Sequence, residues 1–411
     1  MSYTFVKISS FYRDYLTQYY SKNPYIIKTT YKEQYEHLMH DAFSWSDNYQ
    51  RNFIDIGIEA YEIIGNATHL QNAWAKEHNT DKKGLDLVLT QLKKMNPDVI
   101  FIQDPVTFNG SWINTVKEKI PSIKKIIGHL CSPFSNNQLE LFINFDFMTT
   151  CSKYFQDRFE KAGIKTYHIN HAFDPSILKK INIFNNSIHS SDLLFIGSLI
   201  ASKDMHDFRT LVIEELLKTK LDIEIHTKLN YDNNIILFTK QTAYILTKFL
   251  TKIGLKETVS FLPYLKKFVP LNELPHNMTY SQKLINISKE PLYGLKMYEA
   301  LANANSVLNI HGGVGGAKFA ANIRLFEVTG VGTCLITDWK ENLHELFEPE
   351  KEVVTFKSVE ECIEKVKWLR DHPNERKEIA KAGQKRTLKN HTYAIRIQKL
   401  NEIIQDELKK N

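Results

Sequence analysis

SVLNIHGGVGGAKFAANIRLFEVTGVGTCLITDW, residues 306–339, decides how the rest of the chain reads. An apolar run, SVLNIH (306–311), breaks into a loop carrying Gly312, Gly313, Gly315 and Gly316. A helical period follows in IRLFEVTGV (323–331), and GTCLITD (332–338) is apolar again. Strand, glycine-rich turn, helix, strand is the repeating unit of a parallel α/β sheet. Glycines let backbone amides approach an anion, and the first turn of a helix offers free N–H groups at the positive end of its dipole, so the segment suits a phosphate. By itself such a turn is equally a plain flexible loop, and its neighbours decide. Asn322, Arg324 and Glu327 stand close together here. A carboxylate accepts hydrogen bonds from both ribose hydroxyls, and a guanidinium offers a planar fork to phosphate oxygens. The plain alternative for Arg324 and Glu327 is a local salt bridge.

The same alternation extends in both directions. Towards the C-terminus VEECIEKVKWLRD (359–371) and NERKEIAKAGQKRTLKN (374–390) have helical spacing. Towards the N-terminus DLLFIGS (192–198) and LDIEIHT (221–227) read as strands, while DFRTLVIEELLK (207–218) and YGLKMYEALANA (293–304) read as helices. In the first half YEIIGNA (61–67), PDVIFIQD (97–104), KKIIGHL (124–130), DFMTTC (146–151) and KTYHINHAF (165–173) are strands. HLQNAWAKEH (69–78), GLDLVLTQLKKM (84–95) and YFQDRFEKAG (154–163) are helices between them. Near-continuous apolar runs mark strands buried on both faces of a parallel sheet. The sequence turns polar between Pro175 and Ser191, which places a linker there. The expectation is an α/β fold of two Rossmann-like, doubly wound domains facing each other across a cleft. They cover 1–178 and 190–390, with a C-terminal helix over 391–411 packing back on the first. Ligands of such sheets bind outside the carboxyl ends of the strands, so Asp104, His129 and His311, each at a strand end, are expected at the site.

Bulk composition agrees. A chain of 411 residues exceeds what one core fills, and 43% hydrophobic with 24% charged residues is ordinary globular composition. The net charge of +6 is spread among interleaved acids and bases, which argues against nucleic acid. Residues 235–270, IILFTKQTAYILTKFLTKIGLKETVSFLPYLKKFVP, are apolar, aromatic and lysine-bearing. A core helix followed by a loop is the plain reading, and a peripheral contact with the inner membrane face is the other. The opening MSYTFVKISSFYRDY lacks the order of a signal peptide and no apolar run reaches about 18 residues, so the expected location is the cytoplasm. Cys131, Cys151, Cys334 and Cys362 show no C-x-x-C spacing and read as unpaired thiols, with neither zinc nor a disulfide framework.

NIRLFEVTGVGTCLITDWKENLHELFEPEKEVVTF, with EIAKAGQKRTLKNHTYAIR further on, closely resembles the CgeB-like branch of the group-1 glycosyltransferases. The terminal block His391, Thr392, Tyr393 and Arg396 is its most specific part. The resemblance implies the two-domain GT-B architecture with the nucleotide sugar on the C-terminal domain. It implies transfer of a sugar from a UDP or GDP sugar to a glycan, lipid-linked or protein acceptor in surface polysaccharide or glycoconjugate synthesis. By this resemblance Glu327 binds the donor ribose, and Phe319 stands where the wider group has a second glutamate, so backbone groups of the 312–317 loop replace that contact. FIGSLIASKD (195–204) resembles the strand and turn that bind the diphosphate: Gly197 and Ser198 line it, and Lys203 falls at the diphosphate-binding lysine. Ser198 replaces an arginine, a charge for Arg324 or Arg209 to supply. His311 matches a histidine of the branch that touches donor sugar or phosphate, and His129 resembles in position one near the transferred sugar. Lys203, Arg324 and His129 are the expected catalytic residues. Cations on the leaving diphosphate act where negative charge grows. No Asp-x-Asp motif is present, so no metal is expected, nor any cofactor beyond the nucleotide sugar as co-substrate. A nucleotide-sugar epimerase and a non-catalytic nucleotide-sugar-binding protein are the competing readings, the second because of Phe319 and Ser198.

Overall fold

A computed structural model of the protein describes residues 2–183, 191–199, 207–229, 232, 234–271, 273–275, 280–312 and 318–410. The fold is α/β with two six-stranded parallel sheets. The chain divides into two compact units, Met1–Phe195 with Leu221–Ile223 and Leu292–Asn411, and Ile196–Lys220 with Glu224–Pro291.

The first sheet lies wholly in the larger unit. Its strands are β1 (Thr4–Ser9), β2 (Glu59–Ile64), β3 (Val99–Ile102), β4 (Lys125–His129), β5 (Phe147–Thr150) and β6 (Thr166–His168), in the order β2-β1-β3-β4-β5-β6. Ile8 of β1 lies opposite Ile63 of β2 and Ile102 of β3, so the direction of strand addition reverses between β1 and β3. The period of two sends alternate residues to opposite faces. Val6, Ile8, Ile100 and Ile102 pack with Val88, Ile113 and Phe159 from helices on one face. Phe5, Val99, Phe101 and Phe147 pack on the other face with Phe53 and with Tyr393, Ile397, Leu400 and Ile404 of the last helix, Tyr393–Lys409.

A corner holds that last helix in place. The Phe173 amide donates to the His391 carbonyl at 2.9 Å and the Tyr393 amide to the Phe173 carbonyl at 3.2 Å. Arg396 donates through Nε to the Asn170 carbonyl at 3.1 Å and through Nη2 to His391 Nδ1 at 2.8 Å. His391 Nε2 in turn meets the Leu346 carbonyl at 2.9 Å. Burial, with Arg396 and Arg386 nearby, pulls the His391 imidazole down to about 4, so it is neutral and can accept at one nitrogen while donating at the other. The most specific block of the sequence resemblance is thus a structural clamp.

The second sheet contains β7 (Leu193–Ile196), β8 (Ile223–His226), β9 (Ser288–Lys289), β10 (Ser306–Asn309), β11 (Cys334–Asp338) and β12 (Val354–Phe356), in the order β12-β11-β10-β7-β8-β9. Within the larger unit Val307 of β10 lies between Leu194 of β7 and Leu335 of β11. Here too the order of strand addition reverses, between β7 and β10. The helix Arg324–Val331 ends at Gly332, whose φ of 86° is the left-handed cap that a glycine supplies without strain.

Three features depart from the sequence reading. β1 is invisible to a search for apolar runs because Lys7 interrupts it. Lys7 is buried, bonds Glu62 Oε1 at 2.8 Å, and shares that oxygen with the Ser9 hydroxyl at 2.6 Å. Cys131 and Cys151, expected to be unpaired, form a disulfide. Each follows a strand, and His129 of β4 lies opposite Thr149 of β5, so two residues further on the Cα atoms stand 5.6 Å apart. A proximity created by neighbouring strands has no signature in sequence spacing; Cys334 and Cys362 are free and buried as expected. In the smaller unit the helix Asn234–Lys252 is not a core helix, since only Ala243 and Thr247 are buried along it. Ile235, Phe238 and Phe249 are 78%, 70% and 59% exposed, and Phe261 beyond it is 84% exposed. Of the stretch expected as a linker, residues 184–190 lie outside the described residues, and Pro175–Lys179 forms a 3₁₀ helix with Ile177 buried.

Candidate functional site

The ends of β10 and β11 build a polar floor. Asp338 closes β11, and its Oδ1 accepts both the His311 amide at 2.9 Å and the His311 ring Nδ1 at 2.7 Å. Lys340 Nζ lies 2.8 Å from Oδ2. A carboxylate only accepts, so Nδ1 of His311 carries the hydrogen, and Nε2, buried and without a partner among the described residues, is the nitrogen left for a ligand. Burial pushes the Asp338 carboxyl up, but His311 and Lys340 outweigh it and hold the group at about 2, ionised. Asn322 Nδ2 donates to Asn309 Oδ1 at 3.0 Å, and Asn342 pins the intervening loop by accepting the Ala320 amide at 2.6 Å.

Glu327 stands in the first turn of Arg324–Val331, only 4% exposed. One carboxylate oxygen accepts from the Tyr298 hydroxyl at 3.3 Å. The other lies 2.9 Å from Arg324 Nη1 without an aligned hydrogen bond. The local salt bridge is therefore present, and Oε2 keeps an unused lone-pair direction. Burial and the adjacent Glu327 raise Tyr298 well above the ordinary tyrosine range, so its hydroxyl keeps its proton. The helix does not follow the glycine loop directly, because residues 318–323 stand between them.

Of the remaining sequence-expected residues, Gly312 is half-buried, while Gly313, Gly315, Gly316 and Lys203 lie outside the described residues. Gly197 donates its amide to the His226 carbonyl at 3.1 Å, and the exposed Ser198 accepts at its carbonyl from Arg209 Nη1 at 2.8 Å. In the first sheet His129 ends β4, buried against the edge of Trp45 at 4.6 Å between ring centroids. The Thr149 hydroxyl donates to the Gly128 carbonyl at 3.2 Å, so it accepts from His129 Nδ1 at 2.9 Å and leaves Nε2 bare, buried and unpartnered among the described residues. Burial, then His171 and Lys7, hold this ring well below the ordinary histidine range, so it is neutral. Asp104 closes a turn, accepting the Thr107 amide at 3.1 Å. Cys131, Cys151 and His171 place ligand-type atoms within 4.8 Å of one another, with both sulfurs committed to the disulfide.

The structure groups His311, Asn322, Arg324 and Glu327 with four residues that sequence reasoning did not single out: Tyr298, Asn309, Asp338 and Lys340. Only the last two carried a signal, as charges at or just past the end of a buried strand. A cavity of about 800 Å³ was also missed; it lies in the first half, lined by Ser10, Arg13, Asn66, His69, Lys83 and Thr107 among others.

Comparison with known proteins bears on the segment that holds His311 and Glu327. Residues 275–402 match a family model described as glycosyl transferase-like. Solved structures share the fold over nearly the whole chain. A glycosyltransferase from Rickettsia africae ESF-5 superposes with a TM-score of 0.55 at 10% identity, covering 100% of both chains. Anabaena HepE in complex with UDP and glucose gives 0.58 at 12% identity, over 98% of this chain and 100% of that one. Sucrose-phosphate synthase from Thermosynechococcus elongatus gives 0.53 at 8%, over 99% and 100%. No curated protein matches the chain in sequence. The fold is thus the two-sheet α/β architecture of GT-B glycosyltransferases.

Proposed function

We propose that the chain is a glycosyltransferase that takes a hexosyl or related group from a UDP or GDP sugar and passes it to a glycan, lipid-linked or protein acceptor, in surface polysaccharide or glycoconjugate synthesis. One observation carries the reading: a buried carboxylate, Glu327, with one oxygen short of an aligned hydrogen bond, inside the segment that matches the glycosyl transferase-like model. Ribose hydroxyls donate to that oxygen, Arg324 and Lys203 are the cations assigned to the diphosphate, and His311 Nε2 meets the donor sugar or a phosphate oxygen. HepE, of the same fold, was crystallised with UDP and glucose, which agrees with this choice of donor.

In this reading the nucleoside diphosphate departs with growing negative charge, which Lys203, Arg324 and the amides of the 312–317 loop stabilise in place of a metal. His129, neutral and with Nε2 bare, accepts the hydrogen of an acceptor hydroxyl. Titration with UDP, GDP and their sugars, read as a rise in melting temperature, tests the proposal. One nucleotide is expected to stabilise the protein, Glu327→Gln and Glu327→Ala to remove most of the shift, and turnover to survive a chelator. A shift of equal size in both variants would overturn the assignment.

The smaller unit offers a membrane contact as well. Among the described residues no helix is long and apolar enough to cross a membrane. Helix Asn234–Lys252 and the segment after it nevertheless expose Ile235, Phe238, Phe249 and Phe261 beside the exposed Lys252, Lys266 and Lys267. Apolar side chains flanked by lysines suit the interface of an anionic bilayer, which favours a peripheral position on the inner membrane face.

A further inference from the structure

The 800 Å³ cavity belongs to neither the donor floor nor the lysine-rich helix. It opens where β1, β2 and β3 end: Ser10 follows β1, Gly65 and Asn66 follow β2, and Thr107 and Phe108 lie beyond β3. This is the point at which the first sheet reverses its strand order, the position where open parallel sheets bind ligands. Its floor is fixed. Asn66 clamps the chain after β1 by accepting the Phe11 amide at 2.9 Å and donating to the Phe11 carbonyl at 2.7 Å. A Cβ on Gly65 would meet the Phe108 ring at 2.7 Å.

The charge of the cavity is one-sided. Arg13 and Lys83 line it, both exposed and neither in an ion pair or side-chain hydrogen bond among the described residues. No aspartate or glutamate lines it; Asp86, in a neighbouring first turn, is exposed outside it. Three helices begin at its wall, Arg13–Lys22, Thr68–Glu77 and Gly84–Met95, and none has a side-chain cap on its first amides. Two free cations over a fixed polar floor, with amide-bearing helix starts around them, form a receptor for negative charge.

We propose that this pocket binds the phosphate-bearing part of the acceptor, so that the molecule receiving the sugar is anionic. The identification of the ligand as acceptor rests on the glycosyltransferase reading above; the anion site itself does not. A phosphate monoester takes the Arg13 fork and the Lys83 ammonium, while Ser10, His69 and Thr107 meet its neutral hydroxyls.

The test uses two soluble probes, glucose 6-phosphate for a sugar phosphate and dihexanoyl phosphatidic acid for a lipid phosphate, titrated calorimetrically into the wild type and into Arg13→Gln/Lys83→Gln. Both positions are exposed, so the variant keeps the core. At least one probe is expected to bind the wild type, more weakly as salt rises, and to lose about 10- to 100-fold in the variant, as removal of charge-assisted hydrogen bonds predicts. The tighter probe identifies the source of the phosphate. Failure of both to bind, or equal affinity in the variant, overturns the proposal. UDP and GDP titrated into the same two proteins keep the readings apart. Unchanged nucleotide affinity leaves the donor at Glu327, nucleotide affinity that falls with the variant overturns the donor assignment, and absence of both UDP and GDP binding beside intact phosphate binding sinks only the proposed transfer.

Discussion

Asp338 shows how one carboxylate sets the chemistry of its surroundings. It fixes the tautomer of His311 and neutralises Lys340, and all three side chains are buried. Replacing it by asparagine leaves the lysine charge without a counter-ion. Asp338→Asn should therefore cost about 3 to 5 kcal/mol, the range for breaking one side of a buried ion pair, measured as a lower urea midpoint with unchanged slope. A loss of a few tenths would mean that water already reaches the pair. At this scale the sequence was only partly legible. Glu327, Arg324, Asn322 and His311 do gather within one segment, but Asp338 and Lys340 matter because β11 lies beside β10, and sheet neighbours are not adjacent in sequence. Cys131 and Cys151 were misread for the same reason.

Among the elements, apolar periodicity located most strands and helices to within a residue or two, because runs such as VIFI are buried on both faces and tolerate few polar residues. It failed where a strand holds a compensated charge, as at Lys7 in β1, and where a helix is apolar without being buried, as in Asn234–Lys252. The second failure is the informative one, since a helix in a core and a helix on a bilayer interface share a composition. Vesicles rich in phosphatidylglycerol should sediment the protein, with binding weakened by salt and by Phe238→Ser/Phe249→Ser. Both side chains are exposed, so the fold should hold; equal sedimentation of the double variant would remove the membrane contact.

For the molecule as a whole, acid sensitivity follows from its buried rings. His129 sits well below the ordinary value of 6.5, and burial brings His171 and His391 each to about 4. Below pH 6.5 the unfolded chain binds protons that the folded rings refuse, so this stability is complete above 6.5 and is lost as the pH falls towards 4. Glu62, raised to about 7 by burial, works in the opposite sense and offsets one of the three. The net expectation is a loss of about 3 kcal/mol per pH unit near pH 5.5, at roughly 1.4 kcal/mol for each uncompensated group. Denaturant melts from pH 7 to 5 would show it, with a shallower slope in His391→Gln, and a flat profile would contradict it.

The clamp at His391 and Arg396 also governs how the protein is made. One face of the first sheet is finished by residues 393–404, which are synthesised after all six of its strands. Phe5, Phe53 and Phe101 therefore emerge from the ribosome long before their cover exists, and a nascent chain stalled anywhere before the final helix presents an aromatic face to chaperones. A chain cut near residue 180 keeps that open face permanently, whereas a circular permutant that joins the final helix ahead of β1 would supply the cover first.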